Sequence, residues 1–270
     1  MEPEPTSVTP PIQLRIADSI RMQIQRGDLP PGQAIPTLQQ LSQQWDCSIN
    51  SARSAVVLLK QQGLITGCRG RAPVVRTPPR RLARSNERHL VEKGLVRRSE
   101  DERRSLGSAE IDMGVPLAEL EFTANFEQVD ADESLAAAFG LPFGTRLLQR
   151  TYQTSDPGIG RRESWSVSWL SLDLISQNPD LLDPSREPWP GGTQHQLYTV
   201  GIEIARIIDE VSAEAPTTVD VHRWHLSERV PLLRVRRTSV NTHDRIVELS
   251  DAIFPADRTT LRFTTALPAW

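Results

Sequence analysis

The chain has 270 residues, of which 38% are hydrophobic and 24% charged, a length that suits about two domains of an ordinary water-soluble protein. No apolar run approaches the ~18–20 residues that cross a bilayer, and the acidic, proline-rich start MEPEPTSVTPP is not a signal peptide. Two cysteines, Cys47 and Cys68, without CxxC or Cys/His metal spacing point to a reducing, cytoplasmic setting with no metal and no cofactor.

The net charge of −3 conceals an asymmetry. Residues 1–100 carry 15 Lys and Arg against 8 Asp and Glu, a net of +7, while residues 101–270 carry 16 against 26, a net of −10. A basic front and an acidic rear predict that only the front meets a polyanion. Residues 1–11 read as a disordered tail. Over 12–26, Ile12, Ile16, Ile20 and Ile24 recur every four residues and line one side of a helix that Gly27 stops. Leu29-Pro30-Pro31-Gly32 makes a turn. Thr37, with Gln40 three residues on, is a capping box for a second helix whose Leu38, Leu41 and Trp45 point inward.

Ser48 caps a third helix. Its Ala52, Ala55, Val56 and Leu59 fall at i, i+3, i+4 and i+7, the stripe that must be buried. The other side of its first turns presents Asn50, Ser51, Arg53 and Ser54, short hydrogen-bonding groups and a guanidinium at a helix start, where backbone N–H groups favour phosphate. Short strands at Leu64–Thr66 and Pro73–Val75 then flank a basic tip, Cys68-Arg69-Gly70-Arg71. Helix, turn, helix and a basic hairpin over 12–76 make a winged helix-turn-helix, whose second helix of the pair fits the major groove of double-stranded DNA.

The stretch LRIADSIRMQIQRGDLPPGQAIPTLQQLSQQWDCSINSARSAVVLLKQQGLITGCRGRAPVVR resembles the GntR-family DNA-binding domain over about 65 residues: the G-x-L-x-P-G turn, the Pro-Thr start of the second helix and the L-x-x-x-G-L-I entry to the wing are all present. The resemblance implies DNA contacts from Thr37, Ser48, Asn50, Ser51, Arg53, Arg69, Gly70 and Arg71. Departures stand at Thr37-Leu38-Gln39, where Ser-Glu-Arg is usual, at Ile49, where an arginine is common, and at Ala72, where the wing has a second glycine. Ile49 is left with two readings, contact with a thymine methyl or a place in the core.

Residues 77–107 form an arginine-rich, partly helical linker, read as a solvated, flexible hinge, with contact of its basic start with phosphates as the second reading. From 108 the pattern becomes α+β. Strands are predicted at Glu121–Val129, Arg146–Thr154, Glu163–Leu172, Glu203–Ala213, 231–240, 245–254 and 258–266, and helices at Ala131–Phe139, Thr193–Val200 and Thr217–Leu226, with alternation typical of antiparallel sheet. The segments ADESLAAAFGLPFGTRLLQR, PLLRVRR and RIVELSDAIFPADR are similar to the UTRA effector-binding domain of HutC-type GntR regulators across 108–268, a fold like that of chorismate lyase.

Arg150 sits in mid-strand among apolar residues and must meet an anion there; Glu163 and Glu248 are carboxylates similarly placed. An internal network of the three or a ligand pocket both satisfy this. The resemblance adds Thr193, His195 and Phe254 as ligand-contacting positions. Tyr152, where sugar-phosphate binders carry a second arginine, and Phe254, in place of a tyrosine, turn the expected effector towards a less charged, aromatic molecule that suits Trp165 and Trp169. His222 and His225 lack a third metal ligand, and Ser164, Ser166 and Ser168 lack a nucleophile elbow.

The resulting expectation is a ligand-responsive transcriptional regulator, a repressor and a homodimer, and not an enzyme. A plasmid-transfer type of repressor whose rear domain only dimerises is the alternative, and a chorismate-lyase-like enzyme the remote one.

Overall fold

The computed structural model describes residues 9–67, 72–79, 81–105, 120–158, 161–226 and 230–267. The chain divides into two compact units, one made of residues 1–79 with Pro216–Val221 and Leu226–Val230, and a larger one made of Arg80–Ala215, His222–His225 and the chain from Pro231.

In the N-terminal unit α1 (Ile12–Arg26), α2 (Leu38–Gln44) and α3 (Ile49–Gln61) are followed by the strands β1 (Ile65–Thr66) and β2 (Val74–Val75). The isoleucine spacing of α1 does what it predicts: Ile16 and Ile20 are buried and Ile12 and Ile24 pack against the same cluster. Gly27 ends the helix with φ 85°, a left-handed backbone that a side chain would strain. The stripe Ala52, Ala55, Val56 and Leu59 of α3 closes the core from the other side. The strands β1 and β2 pair antiparallel, and Ala34 bridges to Val74, which ties the turn before α2 to the hairpin.

The larger unit is built on a six-stranded antiparallel sheet made of β4 (Glu121–Asp130), β5 (Arg146–Asp156), β6 (Arg161–Ser171), β7 (Ile204–Glu214), β8 (Leu232–Asn241) and β9 (Ile246–Pro255). Their order across the sheet is β4-β5-β6-β9-β8-β7, so β4 and β7 are the edges. Between β4 and β5 lies α6 (Glu133–Phe139); it starts two residues later than the sequence pattern suggests, because the Asp132 carboxylate accepts from Leu135 N and makes Asp132 the cap. Ala136 and Phe139 of α6 pack with Leu147 and Leu249 on one face of the sheet. The other face carries a second cluster, in which Leu148, Leu170 and Val247 meet Leu181 and Leu197, the latter from α8 (Gly192–Tyr198). The short α7 (Leu172–Ile175) and α9 (Thr218–Arg223) complete the helices after β6 and β7.

The arginine-rich stretch departs from the expected hinge. It folds into β3 (Leu82–Ser85), α4 (Arg88–Leu95) and α5 (Glu100–Ser105), and β3 pairs in parallel with the C-terminal strand β10 (Thr259–Arg262), Leu82 opposite Thr259 through Ser85 opposite Arg262. Its low apolar periodicity hid this. Parallel pairing with a strand some 175 positions away draws its order from the partner.

Candidate effector cavity and DNA-facing helix

Antiparallel register decides which side chains share a face, since directly opposed residues project to the same side. Arg150 lies opposite Ser168, Ser168 opposite Ser250, Ser250 opposite Arg237, and Arg237 opposite Asp209. The neighbouring row runs Tyr152, Ser166, Ala252, Val235, Val211. Apart from Arg150, these two rows form the floor of a cavity of about 250 Å³. The opposing walls come from the folded linker and the C-terminal strand, with Arg84, Arg88, His89, Glu92 and Arg262, and from Thr193 and Gln194 at the start of α8.

At one end of the floor a polar network is sealed from solvent. Arg150, 1% exposed, donates from Nη2 to Glu248 Oε1 at 2.9 Å, from Nη1 to Gln196 Oε1 at 2.6 Å and from Nε to Ser168 Oγ at 3.1 Å. Ser239 Oγ and Glu248 Oε2 lie 3.1 Å apart, and Gln196 Nε2 and the Tyr152 hydroxyl both donate to Glu187 Oε1, at 2.8 and 2.9 Å. Burial acts to lower the Arg150 pKa, but Tyr152, Glu248 and Glu187 outweigh it and the net shift is upward, which keeps the cation. Burial pushes the Tyr152 hydroxyl well up, so it stays a neutral donor.

A second charged group stands further along, where β7 meets the linker. Arg237 grips Asp209 with both arms, Nε to Oδ1 at 2.7 Å and Nη2 to Oδ2 at 2.9 Å, and His89 Nε2 is 3.6 Å from Asp209 Oδ2. Burial works to raise the Asp209 carboxyl, yet the nearby His89 ring and the two-armed hydrogen bond and charge of Arg237 hold it well below the usual carboxylate range. Burial pushes His89 below its ordinary value, only partly countered by Asp209. The Arg84 guanidinium lies 4.0 Å from the centre of the Phe254 ring.

Of the seven effector positions expected from the sequence, Trp165, Thr193, Glu248 and Phe254 line the cavity. Arg150 is one layer beneath it, holding Glu248 and Ser168. Glu163 stands outside the wall: Arg161 donates to it at 2.6 Å and the buried Arg258 lies 3.5 Å from it, a different ion pair from the one that contains Arg150. His195 is outside too. Its Nδ1 accepts from Trp189 Nε1 at 2.9 Å, and burial followed by the Arg103 charge lowers its pKa. Thr193 and His195 are two positions apart on α8, about 200° around the helix, so they project to opposite sides of it. Trp169, paired through its indole N–H with Gln149, packs with the α6 cluster.

Asp209, Arg237 and His89 escaped the sequence reading. The argument applied to Arg150, a charge in mid-strand among apolar neighbours, applies equally to Asp209 in IARIIDEV and Arg237 in PLLRVRRTSV. For His89 no such signal existed, since the linker carries no period.

In the N-terminal unit both caps form. Thr37 Oγ1 accepts from Gln40 N at 3.3 Å while Gln40 Oε1 accepts from Thr37 N at 2.8 Å. Ser48 Oγ accepts from Ser51 N at 3.1 Å, and the two hydroxyls are 2.9 Å apart. Arg53 donates to Asn50 Oδ1 at 2.9 Å, one turn up the solvent side of α3. Thr37, Ser48, Asn50 and Arg53 are exposed and Ser51 is half-buried, so the first turns of α3 present hydrogen-bonding groups outward. Ile49 is 45% exposed, which removes its core reading. Arg69, Gly70 and Arg71 lie outside the described residues.

Residues 12–75 match the family "Bacterial regulatory proteins, gntR family", and residues 170–260 match the UTRA domain. The chain is 24% identical over 251 residues to an uncharacterised HTH-type transcriptional regulator of Rhizobium meliloti, covering 93% of both chains. It is 23% identical over 257 residues to the HTH-type transcriptional repressor NagR of Bacillus subtilis, again over 93% of both. A crystal structure of a GntR-family transcriptional regulator superposes with a TM-score of 0.70 at 24% identity, covering 96% of this chain and 98% of the other, which shows the shared fold. The chain thus joins a GntR-type winged-helix domain to a UTRA domain, and the relatives that match it over nearly its whole length are named as transcriptional regulators.

Proposed function

We propose that the protein is a repressor that binds a two-fold operator as a homodimer, reads bases with the start of α3, and is released when a small molecule fills the cavity of the UTRA domain. The observation that carries the effector half of this reading is the make-up of the cavity wall. Arg84, Arg88, His89 and Glu92 come from the stretch of chain that follows directly on the DNA-binding domain. A ligand that touches them has a different affinity for each placement of that stretch, which is what a coupling of ~1–3 kcal/mol between two sites requires. The symmetric half-sites typical of helix-turn-helix operators supply the reason for a dimer. Among the described residues no serine of the cavity is hydrogen-bonded to His89, which supports reading the cavity as a binding site. The name of the Bacillus relative, a repressor, supports the sign of regulation.

The size of the cavity admits a molecule of a dozen or so heavy atoms, with serine hydroxyls below it and guanidinium groups and the Phe254 and Trp165 rings beside it. The reading is tested by selecting bound fragments from a random double-stranded pool with the full chain, then screening metabolites for one that raises the melting temperature and releases the selected DNA. Enrichment of an inverted repeat, followed by release with one compound class, is expected. A pool that stays random ends the proposal. An enriched site that no stabilising compound releases leaves a dimerising rear domain instead.

A further inference from the structure

The start of α3 carries an apolar group among polar neighbours. Ile49 is the first residue of the helix, directly after the Ser48 cap, and stays 45% exposed, whereas Ala52, Ala55 and Leu59 of the same helix are sealed. Leu14, Met22 and Val57 are exposed apolar side chains of the N-terminal unit too. Leu14 and Met22 lie on α1, however, and Val57 follows Ile49 by about 12 Å along the helix axis. A recognition helix reaches base edges with its N-terminal residues, so among these side chains Ile49 is the one that stands where bases are read.

The hydrogen-bonding groups around it are already committed. Ser48 Oγ accepts from Ser51 N and lies 2.9 Å from Ser51 Oγ, and Asn50 Oδ1 accepts from Arg53 Nη1 at 2.9 Å. An asparagine reads adenine with its carbonyl oxygen and its amide nitrogen together. While Asn50 holds Arg53, that two-point contact is closed to it. The first turn keeps another means of telling an A·T pair from a G·C pair, and it is apolar.

We infer that Ile49 is a specificity-determining residue, packing against the C5-methyl group of a thymine in the major groove of each half-site. Of the groups that base pairs present in that groove, the thymine methyl is the apolar one; the others are donors and acceptors. A branched alkyl side chain pressed on a cytosine amine or a guanine carbonyl takes away its water and returns no hydrogen bond. Pressed on a methyl, it removes apolar surface from water on both sides. One side chain thus favours thymine and penalises the alternatives. The net charge of +7 over residues 1–100 attracts a duplex of any sequence, whereas Ile49 adds no charge and acts only on the choice of base. The inference rests on the reading of bases by the start of α3 proposed above, and it names one base of the site.

The test uses the full chain and the operator that it selects from a random pool. Each thymine of that operator is replaced in turn, at the symmetric positions of both half-sites, by deoxyuridine, which lacks only the methyl. One such replacement is expected to lower the affinity of the wild type by about fourfold for each half-site and to leave that of Ile49→Ala nearly unchanged. Val57→Ala is expected to keep the full loss. An operator in which no thymine responds, a response that survives in Ile49→Ala, or one that disappears in Val57→Ala instead overturns the role of Ile49. Base reading by α3 then still stands, because Arg53→Ala tests it separately. A pool that stays random removes both.

Discussion

The core of the winged-helix unit consists of twelve buried residues, all apolar, from Ile16 to Val75. The UTRA unit buries thirteen polar or charged residues, among them Arg150, Glu163, Glu248, Asp251 and Arg258, and every buried polar residue among the described ones lies there. The head is thus held by a non-directional term proportional to the area removed from water. The rear is held in part by directional pairs, each of which is costly if one partner is lost. A scaffold that presents one fixed helix to DNA needs no internal charges. Under the function proposed above, the rear domain takes up a small molecule, and buried polar groups paired with each other are what such a ligand would compete for.

The largest expected effect breaks that contrast from the rear. Arg150→Ala leaves the Glu248 carboxylate and Gln196 buried without their partner, and should lower the stability of the UTRA unit by ~3–5 kcal/mol. Hydrogen exchange should show β5, β6 and β9 opening more readily while α1 and α3 keep their protection. Replacing both partners by apolar residues, Arg150→Met with Glu248→Leu, should recover much of the stability and still lose effector-driven release of DNA. Recovery of release by this pair would show that the network is packing and nothing more.

Next in size, Leu59→Ala removes a fully buried side chain from the centre of the head and should cost ~2–5 kcal/mol, read in the exchange of α1 and α3 amides alone. A loss spread evenly over both units would blur the comparison. Smaller again, Arg53→Ala should weaken operator binding by ~1–3 kcal/mol in a titration at fixed salt, with no change in melting, because the side chain bonds only Asn50 on the exposed side of α3.

The mildest perturbation is acid. All five histidines follow residue 88, so protonation between pH 7.5 and 5.5 acts on the rear unit. His89 is held below its ordinary 6.5. The unfolded chain therefore takes up the proton first, and stability declines as the pH falls through 6.5 towards the folded value. Asp209, held below the carboxylate range, contributes fully above about pH 4 and loses that contribution only in stronger acid. Denaturant melts at pH 7.5 and 5.5 should show the decline, and His89→Gln should reduce it, with His195, also held below its ordinary value, keeping a share. An unchanged slope would remove His89 from the account.

The head was legible almost residue by residue. The isoleucines of α1, the box at Thr37 and Gln40, the cap at Ser48 and the stripe of α3 all rest on contacts within a few positions, where spacing alone carries the information. In the rear unit, the strands and the isolated charge at Arg150 could be read, but the partner of each charge could not. Glu163 and Glu248 look alike in sequence, two carboxylates in apolar strands, yet one pairs with Arg258 and the other with Arg150.

What the sequence determined by itself was therefore the helices of the head, most strands of the rear unit and the resemblance to GntR and UTRA domains, because local periodicity, capping and turn chemistry act over short spans. Tertiary structure alone decided which residues face the cavity and that the arginine-rich linker forms part of its wall. Those features depend on strand register and on a parallel pairing between Leu82–Ser85 and Thr259–Arg262, contacts between residues far apart along the chain that no short-range pattern encodes.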